Sequence, residues 1–102
     1  MVKEMKIDCD LAIDYVINNV KQYDRLELSY NRIFTPGEVL NVDTSEYDGK
    51  KGAKVVIHVS EDTYTSTVEV DLEKVKDELI EINHFPKNGG EEVIILIDKC
   101  DI

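Results

Sequence analysis

Few residues in this sequence combine a reactive side chain with a spacing that chemistry could use. Cys9, His58, His84 and Cys100 have the identities of a zinc set but none of its paired short spacings, so no metal site is expected. The run Asp43-Thr44-Ser45-Glu46-Tyr47-Asp48-Gly49 has the look of a calcium loop. Its glycine, however, falls at the seventh position instead of the sixth, and no bidentate Glu stands at the twelfth. It reads as a solvated acidic loop. No Ser occupies a nucleophile elbow, and no glycine-rich stretch could cradle a phosphate. Cys9 lies near a helix N-terminus, where a thiol pKa is lowered, but it also fits that helix's apolar face and reads as a core residue. His58 in mid-strand and His84 at a helix end read as structural. The expectation is a non-enzyme with no catalytic residue, no metal and no cofactor.

What remains is charge. The chain has 22 Asp plus Glu against 12 Lys plus Arg, a net charge of -10 on 102 residues. A small domain needs only a magnitude of ~2–8 to stay dispersed, and an excess costs stability through self-repulsion. Eight of the 22 acids fall between Glu61 and Glu81. Spacing predicts a helix from Asp71 to about Asn83, with Val75, Leu79 and Ile82 inward. Glu73, Asp77 and Glu81 would then line one exposed stripe at i, i+4, i+8, with Glu78 beside them and Glu69 extending it. Like charges at i, i+4 cost about 0.2–0.5 kcal/mol per pair, and Glu81 at the helix C-terminus opposes the dipole. Lys74 and Lys76 relieve this only in part. The plain explanation is a solvated face. The functional one is an anionic surface for a basic partner, built from Glu69, Glu73, Asp77, Glu78 and Glu81. Carboxylates ~6 Å apart along a helix approach the ~3.4 Å phosphate spacing of one DNA strand, so such a stripe could occupy the Lys/Arg groove of a nuclease or other nucleic-acid-binding enzyme.

The elements that would position these groups follow from periodicity. Asp8 or Asp10 caps a helix to about Tyr23, whose inner face is Cys9, Ile13, Val16, Val20 and Tyr23. Arg25 to Phe34 alternates with Leu26, Leu28 and Tyr30 on one side, as a half-buried strand does. Thr35-Pro36-Gly37-Glu38 predicts a type II turn, followed by a short strand from Val39 to Val42 and a long polar loop from Asp43 to Gly52. Lys54–Ser60 and Thr63–Val70 predict a hairpin joined tightly at Glu61-Asp62. After the second helix, Asn88-Gly89-Gly90 turns the chain into a strand from Glu92 to Ile97. Its unbroken apolar run places it inside the sheet with both faces covered. The predicted fold is α+β, a mainly antiparallel sheet of about five strands with two packed helices in the order α-β-β-β-β-α-β, forming one domain over residues 1–102.

The longest apolar run, Val93–Ile97, is far short of the ~20 residues that span a membrane. Residues Met1–Asp8 lack a signal-peptide core, so the chain is expected in the cytoplasm with Cys9 and Cys100 reduced. A pI of about 4.5 argues against direct contact with nucleic acid or an anionic bilayer. In size, acidity and general plan the chain is similar to phage-encoded inhibitors of host or CRISPR nucleases, some of them DNA mimics, and to immunity proteins that neutralise basic nuclease toxins. That similarity covers bulk properties and implies a stoichiometric inhibitor without assigning any residue. The competing expectation is a structural or assembly protein. Its polar strand Thr63-Thr65-Thr67 would form an oligomer contact, and its charge would serve only solubility.

Overall fold

Between Leu79 and Phe85 the backbone is extended, where residue spacing had pointed to a helix. In the computed structural model, which describes residues 2–44, 53–60, 65–98 and 100, the helix capped by Asp71 is one turn long. The Asp71 carboxylate accepts from the Glu73 and Lys74 amides, starting α2 (Leu72–Val75), and a 3-10 turn over Lys76–Glu78 ends it. Strand β6 (Leu79–Phe85) follows. Leu79, Ile82 and His84 are buried, and a bulge places Ile80 out of phase, so that Leu79 and Ile82 sit three apart as helical neighbours would. One inserted residue turned a period of two into an apparent period of 3.6.

The fold is mostly sheet: seven strands form one mixed sheet accompanied by two short helices, and the expected five-strand α+β plan is overturned. Besides β6 the strands are β1 (Val2–Ile7), β2 (Arg25–Tyr30), β3 (Ile33–Asp43), β4 (Lys54–Ser60), β5 (Thr65–Asp71) and β7 (Glu92–Ile97). Their spatial order is β1-β7-β6-β2-β3-β4-β5, with β1 parallel to β7 and every other pair antiparallel. β1 was not foreseen, since only Met5 and Ile7 of its six residues are sheltered.

Helix α1 (Cys9–Asn19) begins where expected. Asp8 is its N-cap, its carboxylate accepting from the Leu11 amide at 2.8 Å. The helix stops before Tyr23, which is exposed. Its buried stripe of Cys9, Ala12, Ile13 and Val16, with Val20 just beyond, packs on the inward residues of the sheet: Leu26, Leu28, Ile82, Val93 and Ile95, continued by Val39, Val55 and Ile57. Each large apolar side chain buried here contributes roughly 1.5–3 kcal/mol. Leu72 of α2 closes the same core.

Two further expectations are corrected. The chain does not turn at Thr35-Pro36-Gly37-Glu38, which lies inside β3. The reversal is the two-residue turn Asn31-Arg32, with φ of 41° and 64°, joining Tyr30 to Ile33. Positive φ at both central residues is the turn geometry that follows the right-handed twist of a hairpin. Gly37 serves close approach: a Cβ there would lie 2.7 Å from Ile57 Cγ2 and nearer still to the His58 carbonyl oxygen. Pro36 is tolerated because β4 pairs with β3 only from Glu38 onward, leaving that half of β3 with one neighbour. Second, Cys9 and Cys100 form a disulfide across 91 residues, Cα atoms 5.1 Å apart, instead of remaining reduced. The tight connection at Glu61-Asp62 and most of the 43–52 loop lie outside the described residues.

Candidate functional site

The missing helix decides where the acidic residues go. Glu73 lies in α2, Asp77 and Glu78 in the 3-10 turn, Glu81 in β6 and Glu69 in β5. The connection holding the first three runs on the core side of the sheet beside α1. There Lys76 Nζ bonds Glu73 at 2.9 Å and Asp10 of α1 at 3.3 Å, which holds the lysine above its ordinary pKa. Asp77 and Glu78 are exposed. Glu69 and Glu81 point from the opposite face, four strand spacings apart, about 19 Å. The structure therefore brings no single stripe together from these five residues.

Another surface emerges. No described element packs on the second face of the sheet. Register places Lys6, Leu96, Glu81, Ser29 and Phe34 in one row across it. A second row is Glu4, Ile94, Asn83, Glu27 and Pro36, and a third is Phe85, Arg25, Glu38, His58 and Thr67. Ile94, Leu96 and Phe85 are half-buried, and Phe34 is 59% exposed. β7 is thus interior in strand order, yet described elements cover only one of its faces, which corrects the expectation for Val93–Ile97. Glu27 is paired with Arg25 at 3.0 Å, and Glu81 accepts from Asn83 at 2.9 Å. Glu4, Glu38, Glu69 and Glu92 have no ion-pair partner among the described residues. A hollow of about 360 Å³ at one end is lined by Arg25, Pro36, Gly37, Glu38, His58 and Ser60.

Beneath α1 lies a side-chain chain that sequence reasoning missed. The Tyr15 hydroxyl is 2.7 Å from His84 Nδ1, and His84 Nε2 is 2.7 Å from Asp24 Oδ2. Asp24 also accepts from the amides of Lys21 at 3.0 Å and Lys87 at 2.9 Å. His84 is 2% exposed and Asp24 4%. Burial alone would raise the Asp24 carboxyl, but the Lys87 amide, the His84 ring and the Lys21 amide outweigh it and hold it below the usual carboxylate range. Burial and the Asp24 charge push the Tyr15 hydroxyl up. With the Asp24 carboxylate accepting from Nε2–H, the tautomer that leaves Nδ1 unprotonated lets that nitrogen accept from the Tyr15 hydroxyl. The three residues come from α1, the loop before β2, and β6, separated by 60 and 69 positions. No local spacing could signal them. The one hint is His84 at an inward position of an alternating run.

These placements also scatter the zinc-type residues: the cysteines are bonded together, His84 faces Asp24, and His58 lies on the uncovered face. Among the described residues no group of three or more His, Cys, Asp or Glu could hold a metal ion, and no helix is long and apolar enough to cross a membrane.

A mixed sheet with one covered face and one acidic, apolar-centred face defines the class of molecule only broadly. Residues 3–95 match the family described as "uncharacterized protein conserved in archaea" (DUF2097), and the chain belongs to that family. No curated protein and no solved structure matches it.

Proposed function

We propose that this protein acts in the cytoplasm as a stoichiometric binding protein, docking the uncovered face of its sheet onto a basic protein surface such as the nucleic-acid-binding face of an enzyme. The supporting observation is the composition of that face: half-buried Ile94, Leu96 and Phe85 surrounded by Glu4, Glu27, Glu38, Glu81 and Glu92. Lys and Arg side chains lay their aliphatic stems on apolar surface while their charged heads seek carboxylates, so a basic partner satisfies both components. A second copy of this chain would instead bring another net charge of -10 against the same face. With one helical turn, a 3-10 turn and strand β6 in place of the long helix, these carboxylates do not repeat at a phosphate-like spacing. A family conserved in archaea also fits a phage-encoded inhibitor poorly.

The experiment uses the immobilised protein and a purified basic DNA-binding protein, with retention measured against salt. Retention should weaken as salt rises and drop at least tenfold in the triple variant Glu4→Lys, Glu38→Lys, Glu92→Lys. The variant Glu73→Lys, Asp77→Lys, Glu78→Lys, altered on the other side, should bind like the parent. The opposite pattern would move the contact to the α2 connection, and salt-independent binding would sink the electrostatic reading. The assembly alternative draws on one observation: β5, with Thr65 and Thr67 exposed, is a terminal strand with a free edge among the described residues. It requires a salt-independent oligomer in light scattering.

A further inference from the structure

The chain Tyr15–His84–Asp24 opens on a cavity of about 250 Å³, lined by these three residues together with Asn19, Lys21, Asn88 and others. It lies on the covered side of the sheet, so it is independent of the docking face. His84 Nδ1, being buried, needs a partner in any role, but a pair that only tied loops together would need no hollow in front of it. The arrangement instead has the order of a proton-transfer site: a partly sheltered hydroxyl at the cavity, a base within hydrogen-bond reach of it, and a buried carboxylate that orients the base. The rings of Tyr15 and His84 meet edge to face, at 74° with centroids 5.7 Å apart, which fixes the imidazole plane.

We propose that this cavity is a general-base site for a small molecule with an acidic C–H or X–H bond, with Tyr15 the catalytic residue and His84 and Asp24 positioning residues acting through it. In the step, the substrate's C–H or X–H bond breaks and its proton joins Tyr15 Oη. The phenol's own proton passes to His84 Nδ1. The electron pair stays on the substrate, and the imidazolium keeps its proton on Nε2, donated as a hydrogen bond to the Asp24 carboxylate. Return of the protons to product or water resets the chain, and no oxidant, reductant or co-reactant enters. Tyrosine remains neutral throughout. The upward push on its hydroxyl is therefore no obstacle, because no phenolate forms. Asp24, already ionised and held so by two amides, is preorganised to stabilise the imidazolium. Asn19 and Asn88 each already spend one amide atom internally, on the Tyr15 carbonyl and the Gly90 amide. Their other amide atoms remain to orient a ligand. The charged side chain at the rim is Lys21, while Lys87 lies over the Tyr23 ring, 4.8 Å from its centroid.

The test uses nitrobenzisoxazole, a small bicyclic carbon acid whose deprotonation opens its N–O bond to a coloured phenolate without a co-reactant. Wild-type protein should accelerate ring opening with saturation, and Tyr15→Phe should lower kcat/KM at least tenfold while keeping the aromatic packing. The wild-type rate should depend on pH, and that dependence should be absent in Tyr15→Phe. His84→Gln should show the same loss. Should that variant fail to fold, Tyr15→Phe decides alone, its folding checked by its thermal midpoint. No acceleration over buffer by the wild type, or an unchanged rate in folded Tyr15→Phe, overturns the proposal.

Discussion

The two faces of the sheet obey different rules, although the same strands supply both. On the covered face, Leu26, Leu28, Ile82 and Ile95 are fully buried against α1, and the buried His84 and Asp24 among them are partnered: His84 has Tyr15 and Asp24, and the Asp24 carboxylate has His84 and the amides of Lys21 and Lys87. On the other face, carboxylates without ion-pair partners among the described residues stand beside half-buried Ile94 and Leu96. The first face is closed by its own chain; the second leaves apolar area and charge unused. Buried apolar packing is therefore concentrated on one side, and the face proposed to bind a partner is the other. The His84 chain is the place where the covered face departs from pure packing, and there a cavity reaches it.

The largest test of this division is the disulfide that pins Cys100 to the start of α1. Closing a loop of 91 residues contributes about 4–5 kcal/mol in the chain-entropy account. Reduction or Cys100→Ser should lower the thermal midpoint accordingly, with no effect on binding by the uncovered face. Next, Asp24→Ala should cost about 3–5 kcal/mol in urea unfolding, because it strips a buried partner from His84 and two amides. Its pH signature has a definite sign. Asp24 titrates lower in the folded state than its unfolded value of about 3.9. The stability it contributes is thus present above that value and is lost as pH falls through the lower folded one. Wild type and Asp24→Ala should accordingly converge in acid and differ by a constant, full amount above about pH 4.

A sharper comparison uses neighbours in β7. Ile95→Ala, on the covered face, should cost about 2–5 kcal/mol. Ile94→Ala, one residue away on the open face, should cost no more than about 1 kcal/mol in stability while weakening partner binding. Equal costs would mean that both faces are core. Smallest is Arg32→Gly: relieving a positive φ of 64° should stabilise the hairpin by about 1 kcal/mol, read from the midpoint of chemical unfolding.

Local patterns carried well where one interaction dominated them. The alternation in Leu26–Tyr30 and Val55–Val59, the cap at Asp8 and the apolar stripe of α1 each follow from burial of one face, and each appears in the structure. Asp71 is also a cap, but of a single turn. The signal for where a helix starts is local, whereas its length depends on what the following residues can pair with. Leu79–Phe85 is a strand because β2 and β7 flank it on both sides. Backbone pairing with two neighbours outweighs helical spacing that would have lined up like charges. Thr35-Pro36-Gly37-Glu38 shows the same ambiguity: Pro and Gly suit a turn in isolation, yet serve a one-sided strand and a close backbone approach here.

By itself, then, the sequence determined the acidity, the first helix, most inward strand faces and the shortage of reactive motifs, all of which are properties of a residue and its near neighbours. Only the tertiary structure decided the seven-strand order, the disulfide, the division of the acids between two sides and the meeting of Tyr15, His84 and Asp24. These depend on contacts between residues some 60 to 91 positions apart or on strand neighbours that are not consecutive. Side-chain type and local period hold no record of such pairings, because the free energy that selects them comes from packing the whole sheet against one helix.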